Sequence, residues 1–253
     1  MSHRTYLHLF VCFVMAAPVL TGCAGRTARQ AAPPAVYHVL PCAVPPVIDA
    51  NWNKEIWRQT AAIRLRHHMG TSPGHFPDTQ VKMRYDKDAL YVIFRVADQY
   101  VRAVATELHG KVWQDSCVEF FFTPGEDSTK SYVNLETNCK GVFLLQYHQL
   151  ARHQAGLIGK ADCARVDIAH SLKEDARQEL RKPVVWTLEY RLPLDILSKY
   201  VEVAKPGKKT RWRANFYKCG DLTSHPHWLT WAEVDAPKPN FHLPEFFGWL
   251  EFE

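Results

Sequence analysis

The stretch VWQDSCVEFFF, residues 112–122, combines a tryptophan and two carboxylates with a run of apolar residues. In a strand, successive side chains point to opposite faces. One face would turn toward a core: Ser116, Val118, Phe120 and Phe122. The other face would carry the remaining groups: Trp113, Asp115, Cys117, Glu119 and Phe121. Because an unpaired buried carboxylate costs several kcal/mol, we expect Glu119 to lie on a polar or wet face.

An indole beside a carboxylate suits the binding of a sugar. A pyranose has an apolar CH face, which an aromatic ring covers, and a rim of hydroxyls, which carboxylates and amides bind. A hydrogen bond to a charged group contributes about 1.5–3 kcal/mol, so a mismatched hydroxyl loses that amount. The stretch taken alone is equally well explained by an edge strand with a packing tryptophan and a solvated glutamate.

Short alternating segments must position these side chains. Residues 81–85 and 90–96 predict one hairpin, in which apolar and basic residues alternate at its start. Residues 131–137 and 142–147 predict another, because Gly141 in the connection is free to take positive φ.

Two further segments, residues 184–192 and 211–219, alternate in the same way. Pro193 ends the first, and the LDIL that follows fits one helical turn. The best other short helix covers residues 53–58, and no long stretch repeats apolar residues at helical spacing. We therefore predict an all-β fold: an antiparallel β-sandwich of immunoglobulin or jelly-roll-like type, with one or two short helices.

The N-terminal segment predicts export. Residues 1–22 begin with a basic Arg4 and continue in an apolar run too short for a stable membrane span, as in a signal peptide. They end at LTGC, which resembles a bacterial lipobox and implies lipid attachment at Cys23. Residues 23–35 suit a flexible tether, and residues 36–253 suit one domain. We expect a lipid-anchored protein of the bacterial cell envelope, in the outer membrane and facing the periplasm or the surface.

Charge argues against nucleic acid as a partner. The formal net charge of +5 becomes +4 without residues 1–22, whose only charged residue is Arg4. The one dense basic cluster, residues 205–213, is expected to be a solvated loop that leads into a strand.

The chain has seven cysteines. Cys12 would leave with the signal peptide, and Cys23 would carry the lipid. The remaining cysteines are Cys42, Cys117, Cys139, Cys163 and Cys219. Since an odd number cannot all pair, we expect two disulfides with one free thiol, or fewer. No CxxC occurs, which disfavours a zinc ribbon or a redox site.

Several segments resemble, in order, the family 9 carbohydrate-binding modules and their bacterial lipoprotein relatives, which share a DOMON-like β-sandwich. The resembling segments are PPVIDANWNKEIW, VKMRYDKDALYVIFRVAD, VWQDSCVEFFF, YVNLETNCKGVF, VWTLEYRLPLDIL, WRANFYK, LTWAEV and FHLPEFFGWLEF. Together they cover about residues 45–253. The resemblance implies a non-catalytic module that clamps a sugar ring between aromatic side chains and binds its hydroxyls through Glu and Asn.

The resemblance also implies individual roles. Trp113 matches one wall of the clamp, and Glu119 matches the hydroxyl-binding carboxylate. Trp231 is the first choice for the second wall, and Trp228 is the second. The candidate amide partners are Asn134, Asn138 and Asn215. Glu136 departs from the family pattern, in which a plainer polar residue is expected, and this bears on which hydroxyls are bound.

The implied partners are an oligo- or polysaccharide, the membrane through the N-terminal lipid, and glycan-degrading enzymes. No cofactor is expected. The family implies structural calcium, but no ligand set matches beyond the isolated acids Asp49, Asp86 and Asp88, so no metal residues are assigned.

Other functions remain open from the residues. A glycoside hydrolase needs two carboxyl groups about 5–9.5 Å apart. Asp115 and Glu119 would be about 13 Å apart in a strand, which leaves Glu119 with Glu136 or Glu189 across a sheet. We expect no enzymatic activity.

A related sandwich binds haem b through Met and His. Met83 alternates with Val81 and Tyr85 and is expected to pack in the core, whereas Met69 follows His67 and His68 and keeps haem b open as an alternative. His225, His227 and His242 are expected to be ordinary loop histidines rather than metal ligands. The remaining alternative is a structural or interaction lipoprotein whose sugar site has degraded.

Overall fold

The computed structural model describes residues 34–253, so the predicted signal peptide, Cys23 and most of the tether lie outside the described residues. The strands in this range are β1 (Val36–Pro41), β2 (Ile63–Arg64), β3 (His67–His68), β4 (Asp78–Tyr85), β5 (Ala89–Val101), β6 (Cys117–Thr123), β7 (Ser131–Asn138), β8 (Phe143–Gln149), β9 (Gln154–Leu157), β10 (Asp167–His170), β11 (Leu180–Pro193), β12 (Arg211–Cys219), β13 (Trp228–Thr230) and β14 (Gly248–Phe252). The helices are α1 (Glu55–Arg58), α2 (Lys160–Cys163) and α3 (Leu194–Leu197), with single 3₁₀ turns at Val112–Gln114, Leu150–Arg152 and Pro244–Phe246. Between residues 34 and 253, no helix is long and apolar enough to cross a membrane.

Strand β1 joins two curled sheets. Its first four residues pair in parallel with β14, and its last two pair in parallel with β4. The first sheet runs β1-β14-β12-β6-β7-β8-β9, with β13 and β3 continuing beside β12. The second sheet runs β1-β4-β5-β11-β10, with β2 on β4. The predicted all-β sandwich is confirmed. Strand β1 is the departure from an antiparallel arrangement, because a strand without a hairpin partner is free to pair in parallel.

The main core lies between the two sheets. From the first sheet, β6 contributes Val118, Phe120 and Phe122, as the alternation predicted. Phe120 stacks on Phe216 of β12 with their ring centroids 4.8 Å apart. The second sheet contributes fully buried side chains to the same core, such as Trp186. Burial of each such side chain is worth about 1.5–3 kcal/mol, so the face that β6 presents to the core is strongly determined.

The predicted elements are present with small changes of boundary. The two predicted hairpins are β4 with β5 and β7 with β8. Residues 184–192 lie within β11, residues 211–219 form β12, and LDIL forms α3. The predicted helix at residues 53–58 is shorter, since α1 begins at Glu55.

The stretch 112–122 is a strand only in its second half. Strand β6 begins at Cys117, and Trp113 lies in the preceding 3₁₀ turn. Asp115 explains the change, because its carboxylate is 1% exposed and accepts hydrogen bonds from nearby donors. These donors are the backbone N–H groups of Val104 and Ala105, both at 2.9 Å, and the Arg102 guanidinium at 2.8 Å. The chain turns at Asp115 so that its carboxylate can accept these hydrogen bonds. Trp113 therefore lies before the strand and not in it.

The outer face of the second sheet is covered by the segment that leads into α1. Glu189 of β11 is fully buried beneath it. Its carboxylate accepts hydrogen bonds at 2.6–3.0 Å from the backbone N–H groups of Asp49 and Ala50, the Lys54 ammonium and the Trp57 indole. Glu189 therefore has a structural role in the second sheet, whereas Glu119 belongs to the first.

Candidate functional site

A cavity of about 370 Å³ opens on the outer face of the first sheet. Its floor comes from strands β6 to β9 and β12, and its walls come from the loops around them. The residues that line it are His109, Trp113, Glu119, Phe121, Glu136, Leu144, Gln146, Leu157, Cys219, Asp221, Trp228, Pro239, Asn240, Phe241 and His242. Two indoles and three carboxyl groups thus share one concavity, whose volume falls in the range of about 300–1,000 Å³ typical of small-ligand sites.

The floor holds two carboxyl groups on neighbouring strands. Glu119 of β6 and Glu136 of β7 are directly opposite each other in the strand register. The Cys219 thiol donates a hydrogen bond to Glu119 Oε1 at 3.0 Å, and Asn134 Nδ2 donates to Glu136 Oε1 at 2.9 Å. Within residues 34–253, Glu136 Oε2 has no hydrogen-bond partner. It is a buried acceptor that the described fold leaves without a partner.

Glu119 lies on the face that the alternation predicts, but the expectation of a wet environment was wrong. Glu119 is only 2% exposed to solvent. The reason is a second apolar cluster, which packs on this outer face and includes Phe121, Tyr217, Phe241 and Phe247. The loops that supply this cluster could not be placed from the strand pattern.

Burial dominates the electrostatics of the floor. It raises the pKa of Glu119 well above the usual range, and the adjacent Cys219 and Glu136 add to the effect. Burial also raises the pKa of Glu136 to about 7, against the hydrogen bond from Asn134 and with a contribution from Asp221. Because two neighbouring buried carboxyls do not both ionise easily, the pair retains a proton near neutral pH. It then offers a donor as well as acceptors.

Asp221 connects the two tryptophans of the walls. Its backbone N–H donates to the carbonyl oxygen of Trp113 at 3.2 Å. Its carboxylate accepts a hydrogen bond from the Trp228 indole N–H at 2.8 Å. Burial raises the pKa of Asp221, while the bond from Trp228 acts in the opposite direction. Asp221, two residues after the end of β12, therefore holds the backbone of Trp113 and the indole of Trp228 at the cavity.

A buried polar network supports the floor from the side. Asn134 Nδ2 also donates to Gln146 Oε1 at 3.2 Å, and Asn134 Oδ1 lies 2.9 Å from His148 Nε2. His148 stacks on Tyr132 with their ring centroids 4.2 Å apart, and the Tyr132 hydroxyl lies 2.9 Å from His242 Nδ1. Asn134, a predicted sugar ligand, is fully buried behind the lining. It orients the side chains that reach the cavity.

Of the sequence-predicted site residues, Trp113, Glu119 and Trp228 line the cavity, whereas Trp231 lies outside it. Trp231 packs on the main core instead, with its ring 5.7 Å from that of Phe216. Trp228 opens β13, whereas Trp231 follows the last residue of that strand, Thr230, and its backbone N–H donates to the carbonyl oxygen of Phe216 at 3.0 Å. The chain thus places the two candidates for the second wall in different surroundings.

The other two predicted amides are engaged in the fold. Asn138 Nδ2 donates to Asp115 Oδ2 at 3.0 Å, and Asn138 Oδ1 accepts from the backbone of its own turn. Asn215 is fully buried and exchanges hydrogen bonds with the backbone of Ala232 at 2.9 and 3.2 Å. Neither side chain lines the cavity.

Several lining residues were missed. Gln146 could have been found, because the hairpin register pairs it with Asn134 and places Leu144 opposite Glu136. Asp221 and Asn240 come from irregular loops, for which the sequence pattern contains no register signal.

Potential metal donors form one cluster among the described residues. The ligand atoms of Cys117, Glu119 and Cys219 lie within 4.8 Å of one another. Two of the acids considered for calcium are used locally: Asp86 accepts from two backbone N–H groups and from the Tyr91 hydroxyl, and Asp49 pairs with the Lys54 ammonium at 2.8 Å. Of the candidate haem ligands, Met83 is fully buried in the main core.

All five cysteines between residues 34 and 253 are free thiols: Cys42, Cys117, Cys139, Cys163 and Cys219. The three candidate histidines lie in different surroundings. His242 lines the cavity, His225 stacks on Tyr100, and His227 lies 2.7 Å from the buried Lys218 ammonium.

Comparison with known proteins agrees with this architecture. Residues 59–252 match the family model described as carbohydrate-binding family 9. A crystal structure from Bacteroides uniformis, of a protein named as a candidate for carbohydrate binding, has a TM-score of 0.78 and 27% sequence identity. The match covers 87% of this chain and 100% of that chain. No curated protein matches the chain in sequence.

A family 9 carbohydrate-binding module from Caldicellulosiruptor kristjanssonii is also similar in structure. In complex with cellotriose it has a TM-score of 0.59 at 17% identity, covering 87% of this chain and 94% of that chain. In complex with glucose it has a TM-score of 0.55 at 18% identity, covering 87% and 96%. At this identity the likeness concerns the fold.

Proposed function

The chain belongs to carbohydrate-binding family 9, and on this premise we propose that the cavity on the first sheet binds a sugar ring. Family 9 modules bind carbohydrate without catalysis, and the protein has no enzymatic role. The observation that carries the proposal is the convergence of Trp113, Trp228 and the Glu119–Glu136 pair on one concavity of about 370 Å³.

The indoles supply the apolar part of the site. Both Trp113 and Trp228 are half-buried, so each ring is held by packing and still reaches a ligand. Phe121 and Phe241 add further aromatic rings to the lining. These surfaces would cover the CH faces of a pyranose, and the removal of apolar area from water would contribute about 25 cal/mol per Å².

The floor supplies the hydroxyl partners. Glu136 Oε2 is a buried acceptor without a partner among residues 34–253, and the raised pKa values of Glu119 and Glu136 leave a carboxyl proton as a donor. Gln146 and Asn240 add amide groups at the rim. A ligand hydroxyl both donates and accepts, so this mixed set suits sugar better than it suits an anion. Buried carboxyls would repel an anion.

The N-terminal sequence supports a lipid anchor at Cys23 in the bacterial cell envelope. The short polar tether after it would leave the module free to search nearby glycans. Metabolic labelling with a palmitate analogue tests the anchor, and labelling that persists in Cys23→Ser argues against it.

Glycan binding is tested with a soluble segment comprising residues 34–253, which form one compact unit. An array containing glucose, cellotriose and other oligosaccharides identifies ligands, and isothermal titration calorimetry then measures affinity. Trp113→Ala and Trp228→Ala are each expected to weaken binding at least about tenfold, by analogy with the stacking of a nucleobase on an aromatic side chain, which is worth about 1–3 kcal/mol. Circular dichroism checks that both variants fold.

A matched control is Trp249→Ala. Trp249 is half-buried on β14, with the Arg211 and Arg213 guanidinium groups over its ring at 3.9 and 4.5 Å, and it does not line the cavity. Its removal should leave glycan affinity unchanged. Silence across the array, or equal losses in all three variants, would favour a structural or interaction lipoprotein.

A further inference from the structure

We propose that Cys117, Cys219 and Glu119 form a binding site for a thiophilic divalent cation, with zinc as the reference ion, in the floor of the cavity. Its donor atoms differ from those of a calcium site, because calcium takes oxygen ligands. Two cysteines and one carboxylate are instead a donor set that zinc accepts.

The strand register brings the three donors together. Cys117 and Cys219 are directly opposite each other in the β6–β12 pair, so both thiols project from the same face. Glu119 lies two residues after Cys117 and shares that face. Their ligand atoms lie within 4.8 Å of one another, and Cys219 Sγ is 3.0 Å from Glu119 Oε1.

These separations suit a tetrahedral ion with little movement. With Zn–S bonds of about 2.3 Å and a Zn–O bond of about 2.0–2.2 Å, a tetrahedron places its donor atoms about 3.5–3.8 Å apart. The three residues are 0–2% exposed, and they sit on paired strands rather than on a loop. The frame is therefore rigid, which favours binding because little ordering is required.

The fourth coordination position faces the cavity. Glu119 and Cys219 both line it, whereas Cys117 lies behind them. A water molecule or a ligand hydroxyl would complete the tetrahedron there. Glu136 Oε2, which has no hydrogen-bond partner among residues 34–253, is an acceptor for the proton of that water or hydroxyl.

Binding would replace protons with metal charge. Two thiols and one carboxyl would lose their protons on coordination, and the divalent cation would reduce the resulting three negative charges to a net charge of −1. The cation would thereby give ionised Glu119 a counter-charge within bonding distance. Metal binding also competes with disulfide formation, because oxidation would join the same two thiols, those of Cys117 and Cys219.

The site is tested by titrating Co²⁺ into the reduced segment of residues 34–253 without oxygen. We expect one Co²⁺ per chain, with thiolate-to-cobalt charge-transfer absorption that Zn²⁺ abolishes. Cys117→Ser, Cys219→Ser and Glu119→Gln should each weaken binding at least about tenfold, as loss of a direct ligand exceeds that of a supporting group. Cys139→Ser, a control at an equally buried cysteine outside the cluster, should bind Co²⁺ normally.

X-ray absorption on the zinc-loaded wild-type segment needs no variant and should show two sulfur atoms at about 2.3 Å. Absence of the charge-transfer band, its survival in the Cys117→Ser and Cys219→Ser double variant, or a zinc shell without sulfur would overturn the proposal. A Cys117–Cys219 disulfide in protein isolated from cells would overturn it as well. No glycan enters these measurements, so their outcome is independent of the proposed sugar site.

Discussion

Replacing Glu136 with Gln should stabilise the protein, and only above acidic pH. Burial raises the pKa of Glu136 from 4.5 to about 7. The unfolded chain therefore releases this proton at lower pH than the folded chain, so stability is lost as pH rises from 4.5 to about 7. This difference between the pKa of the unfolded and the folded chain corresponds to about 3 kcal/mol. The variant should match the wild type at pH 4.5 and exceed it by about that amount at pH 8.

The assay is urea unfolding of residues 34–253 at a series of pH values. Gln retains the oxygen that accepts from Asn134, so the wild-type geometry is preserved. Loss of the repulsion between Glu136 and Glu119 acts in the same direction. Glu126→Gln, at an exposed carboxyl, is the control and should show no such trend. A difference between Glu136→Gln and wild type that is independent of pH, or destabilisation at pH 8, would refute the reasoning about the buried pair.

Two further predictions concern groups outside the floor. Trp231→Ala should lower the free energy of unfolding by about 3 kcal/mol, because it removes a large side chain packed on the core. Glycan affinity, measured by calorimetry on the folded fraction, should stay unchanged. A selective loss of affinity would instead place Trp231 in the sugar site. Burial, reinforced by the Lys218 ammonium, lowers the pKa of His227 from 6.5 to about 3, so stability should fall as pH drops from 6.5 toward 3. His227→Gln should flatten this part of the pH profile in thermal unfolding, and an unaltered profile would contradict the assignment.

The sequence by itself determined the main hairpins and the face that each residue of β6 presents. Alternation predicted that Val118 and Phe120 point into the core and that Glu119 points away, because the side-chain period of a strand leaves no other choice. The pattern did not separate Trp228 from Trp231, because Trp231 lies beyond the end of β13. The order of motifs was sufficient to indicate the family, whose model matches residues 59–252. These features are local, so the residues that cause them are neighbours in the chain.

Only the tertiary structure decided what surrounds Glu119. Its burial depends on Phe241 and other residues more than 100 positions away, which cover the outer face of the sheet. Its closeness to Cys219 depends on the register of β6 against β12, and the placement of both indoles depends on Asp221 in an irregular loop. Long-range register and loop packing are set by the balance of contacts over the whole fold. For that reason the pattern of any one segment shows which way a carboxylate points, but not whether it is wet or buried.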